Sequence, residues 1–164
     1  MTHPIVACAR GWIGTRFHHQ GRVKKTAEHK GGVDCLGLLV GVAHELNLKD
    51  GEGRPLALAD EANYSHSPDS VRLSARLGEL LVPVPPSVGE GVIPGDIVLL
   101  RVDANPQHLA IISDSGDGLG LIHAYAPARA VVEHPLDEWW RERIEAAFCI
   151  PATACARVNS GGDL

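Results

Sequence analysis

The sequence contains no apolar run close to the roughly 18 residues that a membrane-spanning helix needs. Its first residues, MTHPIVACARGW, also lack the basic leader and the long apolar stretch of a signal peptide. We therefore expect a protein that is made and folded in the cytoplasm without a signal peptide and that has no membrane as a partner. If its target lies outside the cytoplasm, another component must deliver it.

Positive charge is scarce as well. The 15 Lys and Arg residues stand against 20 Asp and Glu residues, for a net charge of −5 with His counted neutral. Such a chain has no overall basic field for a phosphate backbone, and we expect no nucleic-acid partner. Hydrophobic residues make up 45% of the chain and charged residues 21%, which is typical of a globular fold. We predict a single domain over residues 1–164, with a flexible tail at 155–164.

Cysteine is sparse, and no two of the four cysteines form a CxxC pair. A zinc ribbon and a thioredoxin-type redox motif are therefore unsupported, and four cysteines are too few for a disulfide scaffold. Cys8 and Cys149 lie inside apolar runs and are interpreted as inert core residues, whereas Cys155 lies in a polar tail and is expected to be an exposed thiol. Cys35 is the cysteine that requires a separate interpretation.

Several motifs of common enzyme classes are also missing. The sequence has no HExxH, no GxSxG and no glycine-rich phosphate loop, which argues against a zinc protease, a serine hydrolase and a nucleotide-binding enzyme of those types. We predict neither a metal nor a cofactor. One alternative stays open, because Cys35, His108 and His123 could in principle ligate zinc.

The pattern of apolar residues divides the chain into two halves. Helical spacing predicts a helix over Pro4 to Trp12, a second from the N-cap Asp34 to about Leu48, and a third from Ser67-Pro68 to about Leu81. From Asp96 onward, short β-type runs alternate with turns, which indicates an antiparallel sheet. Together these halves predict an α+β fold in which N-terminal helices pack on a C-terminal antiparallel sheet. The candidate core residues of the third helix are Val71, Leu73, Leu77, Leu80 and Leu81.

Cys35 stands directly behind two glycines and an aspartate in the stretch GGVDCLGLLVG. The N-terminus of a helix carries a partial positive charge and unpaired N–H groups, which would lower the pKa of a thiol there and could hold an oxyanion. The spacing of Cys35 with Leu38, Leu39 and Val42 also fits an ordinary apolar stripe. The local motif alone leaves both interpretations open.

A nucleophilic thiol needs a base, and two histidines lie within β-type runs of otherwise apolar residues. If those runs pair as a hairpin with Ser113 opposite Gly120, His108 and His123 become diagonal neighbours on one face, about 7–8 Å apart at the backbone. A register slip of one residue would separate them. His134, beside Pro135, is interpreted as a turn residue.

The ordered stretches ARGWIGTRFHHQ, DCLGLLVGV, PGDIVLLR, HLAII and LIHAYA resemble the NlpC-type cell-wall cysteine peptidases. The resemblance is closest to single-domain members from phage tail and gene-transfer-agent modules, and it covers roughly Ile5 to Pro151. It implies a circularly permuted papain-like fold and a peptidase that needs no cofactor. It also implies that Cys35 is the nucleophile, that His108 is the general base and that His123 orients His108.

The resemblance further implies a substrate and a setting. The substrate would be the peptidoglycan stem peptide, cut between D-glutamate, through its γ-carboxyl, and meso-diaminopimelate. A phage-like particle would deliver the enzyme to the periplasmic cell wall, so that the wall opens locally and DNA can enter. Its partners would then be phage or gene-transfer-agent tail proteins.

The first loop departs from the family pattern, since Arg16 and Phe17 stand where the family commonly has proline and tyrosine. Phe17 has no hydroxyl to place near an oxyanion or substrate, and a neighbouring polar residue would have to replace it. The resemblance makes Asp34, beside the nucleophile, a capping and positioning residue. The candidate substrate-binding and oxyanion residues are Asp34, Phe17, His18, His19 and Gln20.

Three other functions remain open at this point. The same Cys/His pair could serve an N-acetylmuramoyl-L-alanine amidase, which cuts between muramic acid and L-alanine, or an acyltransferase. The chain could also be a catalytically inactive tail structural protein that has kept the fold.

Overall fold

A computed structural model describes residues 1–60, 70–85, 91–102 and 106–152. The helices of this part are α1 (Pro4–Arg10), α2 (Cys35–Glu45), α3 (Ser70–Leu80) and α4 (Glu138–Arg141). The strands are β1 (Arg22–Val23), β2 (Gly32–Val33), β3 (Val82–Pro83), β4 (Ile97–Arg101), β5 (Pro106–Ser115), β6 (Gly118–Tyr125), β7 (Ala130–Pro135) and β8 (Ile144–Cys149). The predicted start of the third helix at 67–68, Cys155 and the predicted tail at 155–164 lie outside the described residues.

The main sheet has six antiparallel strands in the order β3-β8-β4-β5-β6-β7. Strands β4 to β7 follow one another as a meander, and β8 returns to pair with β4. Helices therefore come first and an antiparallel sheet second, and the predicted α+β class is confirmed. The segment between α1 and α2 also contains a two-stranded antiparallel ribbon, β1–β2.

Each face of the main sheet packs against a separate apolar cluster. Along β5, Leu109 and Ile111 belong to the cluster under helices α1 to α3, whereas Ala110 and Ile112 belong to the cluster on the opposite face. This alternation follows from the two-residue period of a strand. Trp140 of α4 covers part of the second face. The two faces of the sheet therefore have different neighbours, helices α1 to α3 on one and Trp140 of α4 on the other.

Two glycines let α2 approach its neighbours closely. A Cβ atom on Gly41 would lie 2.1 Å from the ring of Trp12, and one on Gly37 would lie 2.1 Å from the carbonyl oxygen of Gly21. Any larger residue at either position would force the helix away from the core or from the ribbon. Their spacing of four residues places both contacts along one side of the helix.

The third helix corrects one expectation about the core. Val71 was expected to be buried but is 76% exposed, while Leu77 is 6% exposed. Leu73 and Leu77 are four residues apart and share the inner face of α3, whereas Val71 falls on another side of the helix. In the part of the chain that the structure describes, no helix has the length and apolar character needed to cross a membrane.

Candidate active site

Cys35 is the first residue of α2, directly after its N-cap. Asp34 is in an extended conformation, and its carboxylate accepts hydrogen bonds from the backbone N–H of Gly37 at 2.8 Å and of Gln20 at 2.7 Å. The predicted N-cap is confirmed. An aspartate at this position satisfies a donor that the first turn leaves free, and it fixes where the helix begins. The cap thus fixes the backbone of the cysteine that follows it.

The same carboxylate connects the helix to the first loop and to Arg22. The Arg22 guanidinium donates to Asp34 Oδ1 at 3.2 Å and holds Asp60 through two hydrogen bonds of 2.9 Å. Gln20 has a φ of +59°, in the left-handed region that is uncommon for a residue with a side chain. Its N–H reaches Asp34 from that conformation, so the loop and the start of α2 are fixed together.

The sulfur of Cys35 reaches the sheet where two strands part. Pairing between β5 and β6 runs from Ser115↔Gly118 at the turn to Ile111↔Ile122. Beyond this pair β5 continues with β4 and β6 continues with β7. Leu109 lies in the parted section of β5, and its backbone N–H is hydrogen-bonded to the sulfur of Cys35.

The electrostatic surroundings contradict one expectation about the thiol. Burial and, to a smaller extent, the charge of Asp34 raise the pKa of Cys35 to about 11, although N–H groups of Leu109, Leu36 and Cys35 itself act in the opposite direction. The expectation of a lowered pKa at the helix N-terminus is therefore wrong for the unliganded protein. A few N–H donors do not compensate for taking a thiolate out of water. Cys35 rests as a neutral thiol.

The predicted pairing of the two histidines is confirmed. The β5–β6 register places Ser113 opposite Gly120, and Nε2 of His108 lies 2.5 Å from Nδ1 of His123, within hydrogen-bonding distance. The rings meet edge to face, with centroids 4.8 Å apart. Burial, with a smaller contribution from His134, lowers the pKa of His108 to about 4. His108, the residue before Leu109 in β5, is therefore a neutral imidazole, and its Nδ1 is not used in the hydrogen bond to His123.

His123 is fully buried among aromatic rings. Tyr125 stacks on it at 4.9 Å and Trp140 meets it edge to face at 5.1 Å. Burial is the largest cause that lowers its pKa to about 2, followed by the charges of His108 and His134. These contacts leave the His123 ring little freedom to rotate.

His134 also belongs to this cluster, and the sequence interpretation missed it. It is not a turn residue but lies in β7 opposite Leu121, and its Nε2 is 2.8 Å from Nε2 of His123. The register that pairs Tyr125 with Ala130 makes His134 a diagonal neighbour of His123. The argument that paired the first two histidines would therefore have found the third, had it been applied to β6 and β7.

The first-loop candidates separate into two groups. The ring of Phe17 packs against the main core and its N–H donates to the carbonyl of Arg129, while His18 lines an open surface hollow. His19 places Nδ1 4.0 Å from the Asp34 carboxylate, and the N–H of Gln20 is already bound to that carboxylate. Within residues 1–60, 70–85, 91–102 and 106–152, no group of three His, Cys, Asp or Glu side chains is arranged to hold a metal ion.

Comparison with known proteins supports the fold. No protein-family model matches the sequence, and no curated protein matches it. Among solved structures, the chain is similar to an N-acetylmuramoyl-L-alanine amidase from Bacteroides uniformis ATCC 8492, at 14% identity over 88% of this chain and 96% of that chain, with a TM-score of 0.50. Two further structures of an N-acetylmuramoyl-L-alanine amidase from that organism are 12% identical and cover 88% of this chain and 95% of theirs, with TM-scores of 0.48. The α+β fold of this chain is therefore one that a cell-wall amidase also has.

Proposed function

We propose that the chain is a cysteine hydrolase that cleaves amide bonds in the stem peptides of peptidoglycan. One observation supports the proposal: the backbone N–H of Leu109, the residue that follows His108 in β5, is hydrogen-bonded to the sulfur of Cys35, and Nε2 of His108 lies 2.5 Å from Nδ1 of His123. A thiol, an imidazole on the strand that the thiol contacts and a third group that orients the imidazole are the parts of a nucleophilic catalytic site. Cys35 heads α2 and the two histidines lie on β5 and β6, so distant parts of the sequence would contribute to one site.

The reaction begins from two neutral partners, since the pKa of Cys35 is raised and that of His108 is lowered. As the sulfur attacks the carbonyl carbon of the substrate, the thiol proton passes to Nδ1 of His108. Charge separation is then delayed until the substrate has excluded water and the imidazolium faces a negative tetrahedral intermediate. The backbone N–H of Cys35, at the start of α2, is placed to donate to that oxyanion.

The intermediate then collapses with cleavage of the carbon–nitrogen bond. His108 returns its proton to the leaving amine, and an acyl-thioester remains on Cys35. A water molecule gives one proton to His108 while its oxygen attacks the thioester carbon. Release of the carboxylate product restores the thiol by transfer of that proton to sulfur.

We assign the bond to the one between γ-D-glutamate and meso-diaminopimelate because of the resemblance of DCLGLLVGV and HLAII to the NlpC-type peptidases. The same resemblance supports delivery by a phage-like particle with tail proteins as partners, so that the cell wall opens locally and DNA can enter. The enzyme would act on the periplasmic wall. The bond, the delivery and the partners are more specific than the proposed hydrolysis, and they are tested separately from it.

Cleavage between muramic acid and L-alanine is the second candidate. The solved structure with a TM-score of 0.50 is named an N-acetylmuramoyl-L-alanine amidase, and the same thiol and imidazole could attack that amide bond. An acyltransferase would share the acyl-thioester and pass the acyl group to an amine in place of water. An inactive structural protein is disfavoured, because it would have no reason to keep Cys35, His108 and His123 together.

Digestion of defined muropeptides, read by mass spectrometry, tests these candidates. Wild type should release a disaccharide that carries L-alanyl-D-glutamate, whereas an amidase would release the free disaccharide and the intact stem peptide. Cys35→Ala should release neither, and Cys8→Ala, the same change at a half-buried thiol of α1, should cleave like wild type. Cleavage by Cys35→Ala at the wild-type rate would refute the role of the thiol.

A further inference from the structure

Three imidazoles form a continuous series that ends on a backbone carbonyl. Nε2 of His108 is 2.5 Å from Nδ1 of His123, and Nε2 of His123 is 2.8 Å from Nε2 of His134. The series ends where Nδ1 of His134 lies 2.9 Å from the carbonyl oxygen of Pro135. Four groups thus share three hydrogen bonds, and each ring nitrogen within the series has one partner.

The carbonyl at the end fixes the direction of every bond. A carbonyl oxygen only accepts, so Nδ1 of His134 must carry the proton. A neutral imidazole has one N–H, and Nε2 of His134 is therefore an acceptor that requires a proton on Nε2 of His123. By the same rule Nδ1 of His123 accepts from Nε2 of His108. Nδ1 of His108 is left with a free lone pair, the state that a base for the Cys35 thiol needs.

The surroundings keep the rings in the state that this reasoning assumes. Burial lowers the pKa of both His108 and His123, so each carries one N–H at neutral pH. Trp140 lies edge to face with His123 at 5.1 Å and lies 5.0 Å from His134. Both nitrogens of His123 have other imidazoles as hydrogen-bond partners, and among the residues that the structure describes no further group is bonded to them.

We propose that His134 is a positioning residue that, through His123, holds His108 in the tautomer whose Nδ1 can take the proton of the Cys35 thiol. The inference rests on the proposed function of the Cys35/His108 pair. It adds the cause of that tautomer: the carbonyl of Pro135 fixes the proton of His134 on Nδ1, and the hydrogen bonds that follow fix the tautomers of His123 and then of His108. Without His134, Nε2–H of His123 loses its acceptor, and the His123 ring can carry its proton on either nitrogen.

Two variants of similar size separate this role from simple packing. His134→Gln keeps a side-chain acceptor for Nε2–H of His123, whereas His134→Leu fills the space without one. We expect His134→Leu to lower kcat about tenfold at unchanged KM, the scale found when an outer partner of a functional histidine is removed. His134→Gln should recover most of that loss. His44→Leu, at an exposed position of α2, is the matched control.

The tautomers are read directly by long-range ¹H–¹⁵N spectra of the histidine rings at pH 8. In wild type, His108 and His123 should both carry the proton on Nε2. In His134→Leu the signals of His108 should move toward a mixture of tautomers, and in His134→Gln they should stay. If His134→Leu does not fold, retention of the wild-type pattern in His134→Gln and its loss in His134→Ala provide the same comparison.

The outcomes distinguish this inference from the proposed function. A proton on Nδ1 of His108 in wild type, or an unchanged His108 signal and kcat in His134→Leu, would overturn the inference even if muropeptides are cleaved through Cys35. The expected tautomers, with their loss in His134→Leu, would support it even if wild type cleaves no muropeptide, in which case the proposed function alone fails.

Discussion

The two halves of the candidate site are built in opposite ways. The nucleophile side, which consists of Cys35, Asp34 and the loop residue Gln20, is held by charged hydrogen bonds around one carboxylate. The base side consists of His108, His123 and His134, which come from three strands. Burial lowers the pKa of His108 and His123, and Tyr125 and Trp140 pack against the ring of His123. The first depends on local contacts at a helix cap, the second on strand register. Changes that act on one side should therefore leave a different signature from changes that act on the other.

The largest effect should come from removing the base. We expect His108→Ala to lower kcat for muropeptide cleavage by about 10²- to 10⁴-fold, the contribution of a positioned general base, with a smaller loss for His123→Ala because that residue acts through His108. Rates from mass-spectrometric time courses check both. His44→Ala, an exposed histidine on α2, should match wild type. A His108→Ala enzyme with full activity would remove the base side from the mechanism.

The second-largest effect should be a loss of folding stability in acid, which arises on the base side. The folded chain binds fewer protons than the unfolded chain between pH 6.5 and about 4, because burial lowers the pKa of His108 and His123. The contribution of these histidines to the free energy of unfolding is therefore fully present above pH 6.5 and is lost as the pH falls toward 4. For one such histidine it amounts to on the order of 3 kcal/mol. Urea denaturation across this range measures the slope.

A matched pair of variants identifies which histidine causes that slope. His108→Gln should flatten it, whereas His44→Gln should leave it unchanged. If both variants kept the wild-type slope, the acid sensitivity would have to arise elsewhere in the molecule.

On the nucleophile side, the cap should matter more than its charge. Asp34→Ala leaves the N–H groups of Gly37 and Gln20 without an acceptor, and we expect a loss of about 2–3 kcal/mol in the free energy of unfolding. Asp34→Asn keeps an oxygen at the cap and should lose less, about 1 kcal/mol, since asparagine is also a good N-cap. Thermal and urea denaturation give both values, and equal losses would show that the charge, not the cap, dominates.

The smallest effect should appear in the reactivity of the thiol. Iodoacetamide reacts with the thiolate, so alkylation of Cys35 should rise about tenfold per pH unit between pH 7 and 9, as expected below a pKa of about 11. In Asp34→Asn the rate at a given pH should be severalfold higher, because the Asp34 charge no longer raises the pKa of Cys35. Peptide mass spectrometry reports each site separately.

Cys8 provides an internal control for that measurement. Burial and Glu45 raise its pKa to about 11, and Asp34 is not among the causes, so its alkylation should not respond to Asp34→Asn. A rate for Cys35 that is already constant from pH 5 upward would contradict the neutral resting state and indicate a thiolate–imidazolium pair.

The sequence predicts features that depend on neighbouring residues better than features that depend on burial. Asp34 as N-cap, Cys35 at the head of α2 and Ser113 opposite Gly120 were all predicted, since a cap and a two-residue hairpin turn are local. The pKa of Cys35 was not, because it depends on how much water the sheet excludes. Cys35 does lie at a helix N-terminus, as predicted, but burial raises its pKa by more than the N–H groups lower it.

His134 and Val71 were both predicted to lie in the wrong place, and the two errors have a common cause. His134 was placed in a turn because proline follows it, yet proline is tolerated at the end of an edge strand and β7 is such a strand. Val71 was placed in the core by counting apolar residues without fixing the helical face. In both cases the residue type was recognised and its direction was not, and direction is set by partners far away in the chain.

The turn of the β5–β6 hairpin has a consequence for how this protein can vary. Gly116 and Asp117 form the turn, roughly 25 Å along the strand from His108, and a Cβ atom on Gly116 would meet no other atom within 4 Å. The register that this turn joins nevertheless decides whether His108 and His123 share a face of the sheet. Related chains should tolerate many residue types at this tip, whereas an insertion or deletion that shifts the β5–β6 register by one residue would separate the two histidines without changing any side chain of the site.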